Sequence, residues 1–444
     1  MILTADHKNR KAILNRNLHL TVRKALIILS GFLFFEGSAG CQASHLKTDR
    51  NTYWPAPLLI KPGYLQTVLD PTFGTRITRI VGDPGNPLPN IPGQVWASDQ
   101  LRHGYSKREA WNCDQSMILL ERHSPNLWLD GKTYNVLFTR SDKPTNKNPD
   151  RPRYDLRWSH SKPDVMLYLM SDPGKCEFGK WDVVKNVTTR LIDLPGYQSC
   201  TFGDGEGSLS ADGNKAVVLA TRDGKKEIFV VDVLNKIKGP DIEIDRLDNC
   251  TISPRGNYIV VDGFLNGEED RIQVRRATDG TLVWSETRYG MPSHFDVQVD
   301  QNGDEVVVGV AKSAPYGGNL IKRRLSDGLL TVLVDTGYAS HTSGRNYKRQ
   351  GWVYVTYQTR DNPKSYPYQN EIVAVKLDGS KVERICNIRS RDFTYVAEAH
   401  GSPSPDGKKV IFASDWDSGT YPVQAYVVDI SDKINASDNL PAKK

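Results

Sequence analysis

Long apolar runs are scarce in this chain. Beyond residue 41 no segment is both long and apolar enough to cross a bilayer core, which excludes a helical span there. Cysteine is sparse as well: Cys41, Cys113, Cys176, Cys200, Cys250 and Cys386 are the only six, widely and irregularly spaced, which excludes a disulfide framework. In an oxidising compartment the one bridge expected is Cys176 with Cys200. No block of Lys or Arg and no basic helix occurs, and 58 basic against 52 acidic residues leave a net charge of only +6, so no nucleic acid is expected as a partner. Helical periodicity is weak throughout. No Gly-x-Ser-x-Gly segment falls in a strand–helix context, which argues against a serine peptidase carrying its own hydrolase domain.

The one apolar run of note lies in the leader. Lys8, Arg10, Lys11, Arg16, Arg23 and Lys24 precede Ala25–Phe35, and Gly37–Cys41 follows, GSAGC. This reads as a secretory signal over residues 1–41, too short to span. The small residues before Cys41 suit a bacterial lipoprotein box, although Ser38 stands where such a box has Leu; simple cleavage nearby is the alternative. Export follows from either, with the product secreted, periplasmic or held at the outer membrane, and contact with lipid only through an anchor at Cys41.

What the chain has in quantity is β-branched and aromatic residues, 36 Gly and 25 Pro. These are distributed in a repeat. A turn followed by an apolar run begins at Asn112, Ser161, Ser210, Ser253, Asp300, Lys348 and Ser404, and the last is the clearest, SPDG leading into VIFA. The steps are 49, 49, 43, 47, 48 and 56 residues, close to the length of a four-stranded propeller blade. A β-sandwich would not keep this spacing through seven units. The expected fold is all-β: a seven-bladed β-propeller of four-stranded antiparallel blades over residues 54–431. Residues 42–53 read as a tether and 432–444 as a polar tail. The seventh unit stops after its third strand, so the alternating segment Thr75–Val81 is expected to supply the outermost strand and close the ring. A monomer is expected.

In such a fold the loop before a blade's first strand and the loop after its second open on one face. His103, His294, His341 and His400 precede turns, and His123 ends an apolar run, so these five converge there; His160 falls on the opposite face. Cys250 stands at the corresponding place in the fourth unit. Cys250, His294, His341 and His400 could together make a closed tetrahedral site for a structural zinc. His103 and His123 share the first unit and are expected to be neighbours at the mouth. Arg222 takes the exit position in the third unit, and Arg108 and Arg345 are further cations suited to binding a carboxylate.

Together the segments RHGYSKREAWNCDQSMILLERHS, HTSGRN and EAHGSPSPDG and the SPDG-type turns resemble the seven-bladed propeller polysaccharide lyases, above all the ulvan lyases. The oligogalacturonate lyases, with a histidine-rich metal site, are a more distant resemblance. The resemblance implies β-elimination at a uronic acid within an anionic polysaccharide, ulvan first. It implies catalytic or positioning roles for His103 and His123 and a carboxylate partner in Arg222. Ulvan lyases also use a tyrosine, for which Tyr197 is the candidate here. The alternative is a non-catalytic propeller, a glycan-binding or scaffold protein of the cell envelope.

Overall fold

The repeated turn explains the repeat. Ser210, Ser253 and Ser404 accept the amide of the glycine three residues on through their carbonyls, at 2.8, 2.9 and 2.8 Å. Their hydroxyls accept the amides of Lys215, Tyr258 and Lys409 at 2.9, 3.0 and 3.1 Å, so one serine fastens both ends of each turn. The glycines Gly213 and Gly407 sit at φ 74° and 70°, where a side chain would be strained. In the first unit Asn112 replaces the serine: its side-chain oxygen accepts the amide of Met117 at 3.0 Å.

The computed structural model describes residues 45–434 apart from 99, 122, 124, 141–152, 173–174, 245–246, 266–268, 288–289, 359–364 and 392–393. The leader, Cys41 and residues 435–444 of the polar tail lie outside the described residues. Seven antiparallel sheets follow one another along the chain. The first blade holds Met117–Leu120, Asn126–Asp130 and Val136–Arg140; the second, Arg153–Trp158, Val165–Asp172, Lys175–Asp182 and Val187–Leu194. The third is built on Ser199–Thr201, Lys215–Arg222 and Lys225–Asp232, with Ile237–Lys238 and Ile242–Ile244 sharing its outer edge. Asn249–Ile252, Tyr258–Leu265, Glu269–Arg276 and Leu282–Thr287 form the fourth, and Pro292–Val299, Glu305–Ala311, Leu320–Arg324 and Leu330–Val334 the fifth. The sixth runs through His341–Ser343, Trp352–Tyr357, Glu371–Lys376 and Val382–Asn387, and the seventh through Ser402–Pro403, Lys409–Ser414 and Val423–Asp429. Against Val423–Asp429 lies Arg76–Arg79, antiparallel, and outside that Thr67–Leu69.

This is a seven-bladed β-propeller. Second strands such as Glu305–Ala311 and Trp352–Tyr357 are buried at every residue, because each blade is covered on both faces by its neighbours. That is why these segments read as continuous apolar runs rather than alternating ones. An apolar cluster lies between every adjacent pair of blades. The seventh meets the first through Ile411, Ala425 and Val427 against Ile118, Leu120 and Leu127, with Ile80 and Val81 in the same cluster.

Two expectations are corrected. The described part of the expected tether is fastened to the sixth blade: Leu46 is buried, Lys47 bridges Arg384, and Asp49 pairs with the Arg384 guanidinium at 2.7 Å. Arg384 is completely buried, and its charge needs the carboxylates of both Glu371 and Asp49. The Cys176–Cys200 disulfide is absent: the five described cysteines are buried free thiols. Cys176 and Cys200 lie in the same apolar cluster, and their interaction lowers the pKa of the first and raises that of the second.

Residues 102–112 position the site. Only Ala110–Asn112 pair with Met117–Leu119 as the first blade's inner strand. The rest runs inside the ring, where the Ser106 carbonyl accepts Ser343 Oγ at 2.6 Å and the Arg108 carbonyl accepts Ser402 Oγ at 3.1 Å. Its side chains reach the other blades as well: Lys107 Nζ donates to Asn249 at 3.1 Å and Arg108 pairs with Asp155 at 2.7 Å.

Candidate functional site

A cavity of ≈ 390 Å³ opens among residues of the third to sixth blades and the segment leading into the seventh, with Tyr105 and Lys107 on one side. His294, His341, Lys312, Tyr395, Glu398 and a carboxylate wall of Glu206, Asp248 and Asp262 line it.

His294 is turned inward by the backbone. The pairing of Pro292–Val299 with its neighbour skips between Ser293 and Asp296, a β-bulge at the histidine, and His294 takes φ 46°. Bulges and left-handed non-glycine residues concentrate where a side chain must be re-aimed for function. His400 shares the feature at φ 45°. Its segment is held from the sixth blade, where Gln358 accepts the Ala399 amide at 2.8 Å and Thr356 accepts the Gly401 amide at 3.0 Å. His341 opens the sixth blade's inner strand and joins the two: its ring stacks on His294 at 4.6 Å and meets His400 edge-on at 4.4 Å.

Glu398 completes the group. Its carboxylate lies 3.6 Å from His341 Nε2 and 3.5 Å from His400 Nε2, and the potential ligand atoms of His341, Glu398 and His400 all lie within 4.8 Å of one another. Two imidazoles and a carboxylate are donors suited to manganese, iron or zinc, and three ligands leave coordination positions open. Burial depresses the His341 pKa well below the usual value, so the ring is neutral and can offer a lone pair. For His294 burial first and the Lys312 ammonium second bring the pKa down to about 4. His294 Nδ1 donates to the Ser340 carbonyl at 2.7 Å, which fixes the tautomer and leaves the Nε2 lone pair facing Lys312 Nζ at 3.2 Å.

The expected zinc set is therefore altered in composition. The structure brings His341 and His400 together with Glu398, while His294 stacks on His341 outside that group and Cys250 lies apart from it. The thiol lies in the apolar cluster of the third and fourth blades with Val217, Leu219 and Ile259, and burial raises its pKa, which opposes the thiolate a metal requires. Its neighbour Asn249 lines the cavity instead, as strand alternation dictates.

The expected catalytic residues are held elsewhere. His103 is wholly buried away from the cavity lining and donates from Nε2 to the His400 carbonyl at 2.7 Å. His123 donates from Nδ1 to the Pro125 carbonyl at 2.7 Å and accepts the Ala97 amide at Nε2 at 3.3 Å, which occupies both ring nitrogens. Tyr197 and Arg222 do meet, but at the third blade's outer edge: both bind Asp241, at 2.6 and 3.3 Å, and the guanidinium lies over the phenol ring at 4.2 Å. The two arginines expected to bind substrate are held in ion pairs, Arg345 buried and Arg108 partly so. Arg345 grips Asp296 through two bonds of 2.9 and 2.6 Å and Glu109 through a third of 2.8 Å, and Arg108 joins Glu121 and Asp155. Sequence reasoning missed Glu398, Lys312 and Tyr105. Lys312 directly follows the Val306–Ala311 apolar run, the exit position that was read for Arg222.

No family model matches the sequence, and no curated protein does either. Among solved structures, an oligogalacturonate lyase in complex with manganese gives a TM-score of 0.59 at 14% identity, covering 89% of this chain and 99% of its own. An oligogalacturonate lyase from Vibrio parahaemolyticus gives 0.55 at 11% identity, covering 87% and 98%. The chain shares the whole fold of these lyases. At such identity the likeness shows the fold alone, and ulvan gains no support from it.

Proposed function

We propose that this chain is an exported carbon–oxygen lyase acting on short uronate oligosaccharides, oligogalacturonates first, with a divalent metal held by His341, Glu398 and His400. The observation that carries this reading is the His–Glu–His group, two members of which, His341 and Glu398, line the cavity beside Lys312. Bound there, a divalent ion would supply Lewis-acid stabilisation of the carboxylate at the reacting sugar. Lys312 pairs with the same carboxylate, and in doing so turns its charge away from His294. Relieved of that neighbour, His294 Nε2 regains basicity and takes the proton from C5. The C5–H electrons form the C4–C5 double bond, and the C4–O bond breaks with its pair left on oxygen, which is protonated as it departs. Tyr105, whose pKa burial raises well above the usual value, stays protonated beside His341 and His400 and can donate. Asp248 and Asp262 accept sugar hydroxyls and repel sulfate esters, which favours galacturonate over sulfated ulvan.

The test is ultraviolet absorbance of the unsaturated uronate with oligogalacturonate, polygalacturonate and ulvan, with and without manganese. A rise on oligogalacturonate that is lost on chelation supports the reading. No rise on any uronate, together with measurable binding, would replace it with the glycan-binding propeller.

A further inference from the structure

Tyr395 stands at the cavity with 58% of its surface exposed. It opens a single turn of 3-10 helix, Tyr395–Ala397, three residues before Glu398, and its ring meets that of His400 at 6.0 Å and 71°. The turn is anchored: Ala397 is wholly buried, and its carbonyl accepts both Ser390 Oγ and Gln358 Nε2 at 3.4 Å. A large aromatic left uncovered on a fastened turn, standing perpendicular to a metal-type ligand, offers a flat apolar face to whatever occupies the cavity. Tyr105, on the same cavity, lies against His341 and His400 and is mostly spent on packing.

We propose that Tyr395 is the stacking platform for the sugar ring whose carboxylate reaches His341, Glu398 and His400, so that it sets affinity for the oligosaccharide rather than the chemistry. This rests on the lyase reading above. The aliphatic C–H face of a hexuronate would lie on the phenol ring while the carboxylate and hydroxyls turn toward the metal group and the acidic wall. The phenol oxygen has no part in it.

Steady-state kinetics and equilibrium binding of trigalacturonate to the manganese-loaded protein test this in wild type, Tyr395→Ala, Tyr395→Leu and Tyr395→Phe. The expected result is a KM raised roughly tenfold in Tyr395→Ala, less in Tyr395→Leu and not at all in Tyr395→Phe, with kcat within about twofold in each. Manganese affinity measured without sugar should not move. An active wild type whose KM is unchanged in Tyr395→Ala overturns the platform and leaves the lyase standing. If wild type binds trigalacturonate without cleaving it, the lyase reading falls and the dissociation constants alone decide for or against Tyr395. Failure to bind any uronate overturns both.

Discussion

The His103 side chain, wholly buried, donates from Nε2 to the main-chain carbonyl of His400 at 2.7 Å. A carbonyl only accepts, so the proton on Nε2 is fixed, and the bond braces the residue that carries a candidate metal ligand in a left-handed conformation. A histidine read from sequence as chemical is placed as the support of another histidine.

His103→Ala should therefore behave as a loosened support. Leaving a buried carbonyl without its donor costs about 1–3 kcal/mol, and a lost outer support weakens metal affinity by roughly 10–100-fold. Melting temperature and manganese affinity should both fall, while kcat at saturating manganese stays within about twofold of wild type. A kcat lowered a hundredfold at full metal occupancy would return His103 to the chemistry.

The metal group gives a cleaner contrast. His341→Ala, His400→Ala and Glu398→Gln should each weaken manganese binding by at least about tenfold in calorimetric titration. Cys250→Ser should bind the metal normally and melt earlier, since the change places a hydroxyl in an apolar cluster. Loss of metal in Cys250→Ser alone would restore the thiolate as a ligand.

Much of the fold was legible because its signal is local. The serine that fastens each turn and the glycine that lets it close lie within four residues of each other, at Ser210–Gly213 and Ser404–Gly407. His341 was legible for the same reason: it opens a first strand ahead of a turn, at the cavity. Cys250 failed by parity, since one step along a strand moves a side chain to the other face, and Asn249 took the cavity position. His294 and His400 escape that rule only through left-handed backbone, which no spacing announces. Arg345 was expected to be an open cation because its partners are remote; Asp296 and Glu109 stand 49 and 236 residues away.

That network should set the acid limit of stability. Burial tends to raise the Glu109 pKa, but Arg345 and His160 outweigh it and hold the carboxyl well below its ordinary 4.5. Asp155 is likewise lowered by Arg157 and Arg108 against the opposing effect of burial. A depressed folded-state pKa means that the unfolded chain takes up the proton first, so stability is full above the unfolded value and is lost as pH falls below it. Urea midpoints should be flat from about pH 7 to 5 and fall steeply toward pH 3. In Glu109→Gln the acid fall should be shallower; a slope identical to wild type would show that this carboxyl does not carry it.

Arg345 and Arg222 were both read as carboxylate ligands, and stability separates them. Arg345→Met would strand Asp296 and Glu109 in the interior, where breaking a buried pair from one side costs about 3–5 kcal/mol. Arg222, with 37% of its side chain exposed, shares Asp241 with Lys238 and Tyr197, so Arg222→Ala should leave the urea midpoint close to that of wild type. Chemical unfolding of the two variants measures this directly, and kcat/KM of the molecules that remain folded shows whether either touches substrate. Arg345→Met should lower the urea midpoint strongly and leave kcat/KM per folded molecule within about threefold, because all three of its guanidinium nitrogens are committed to buried carboxylates. A stable Arg345→Met protein with KM raised tenfold would mean that the ion pairs open to admit the substrate carboxylate, and would move the binding site down the axis from the cavity.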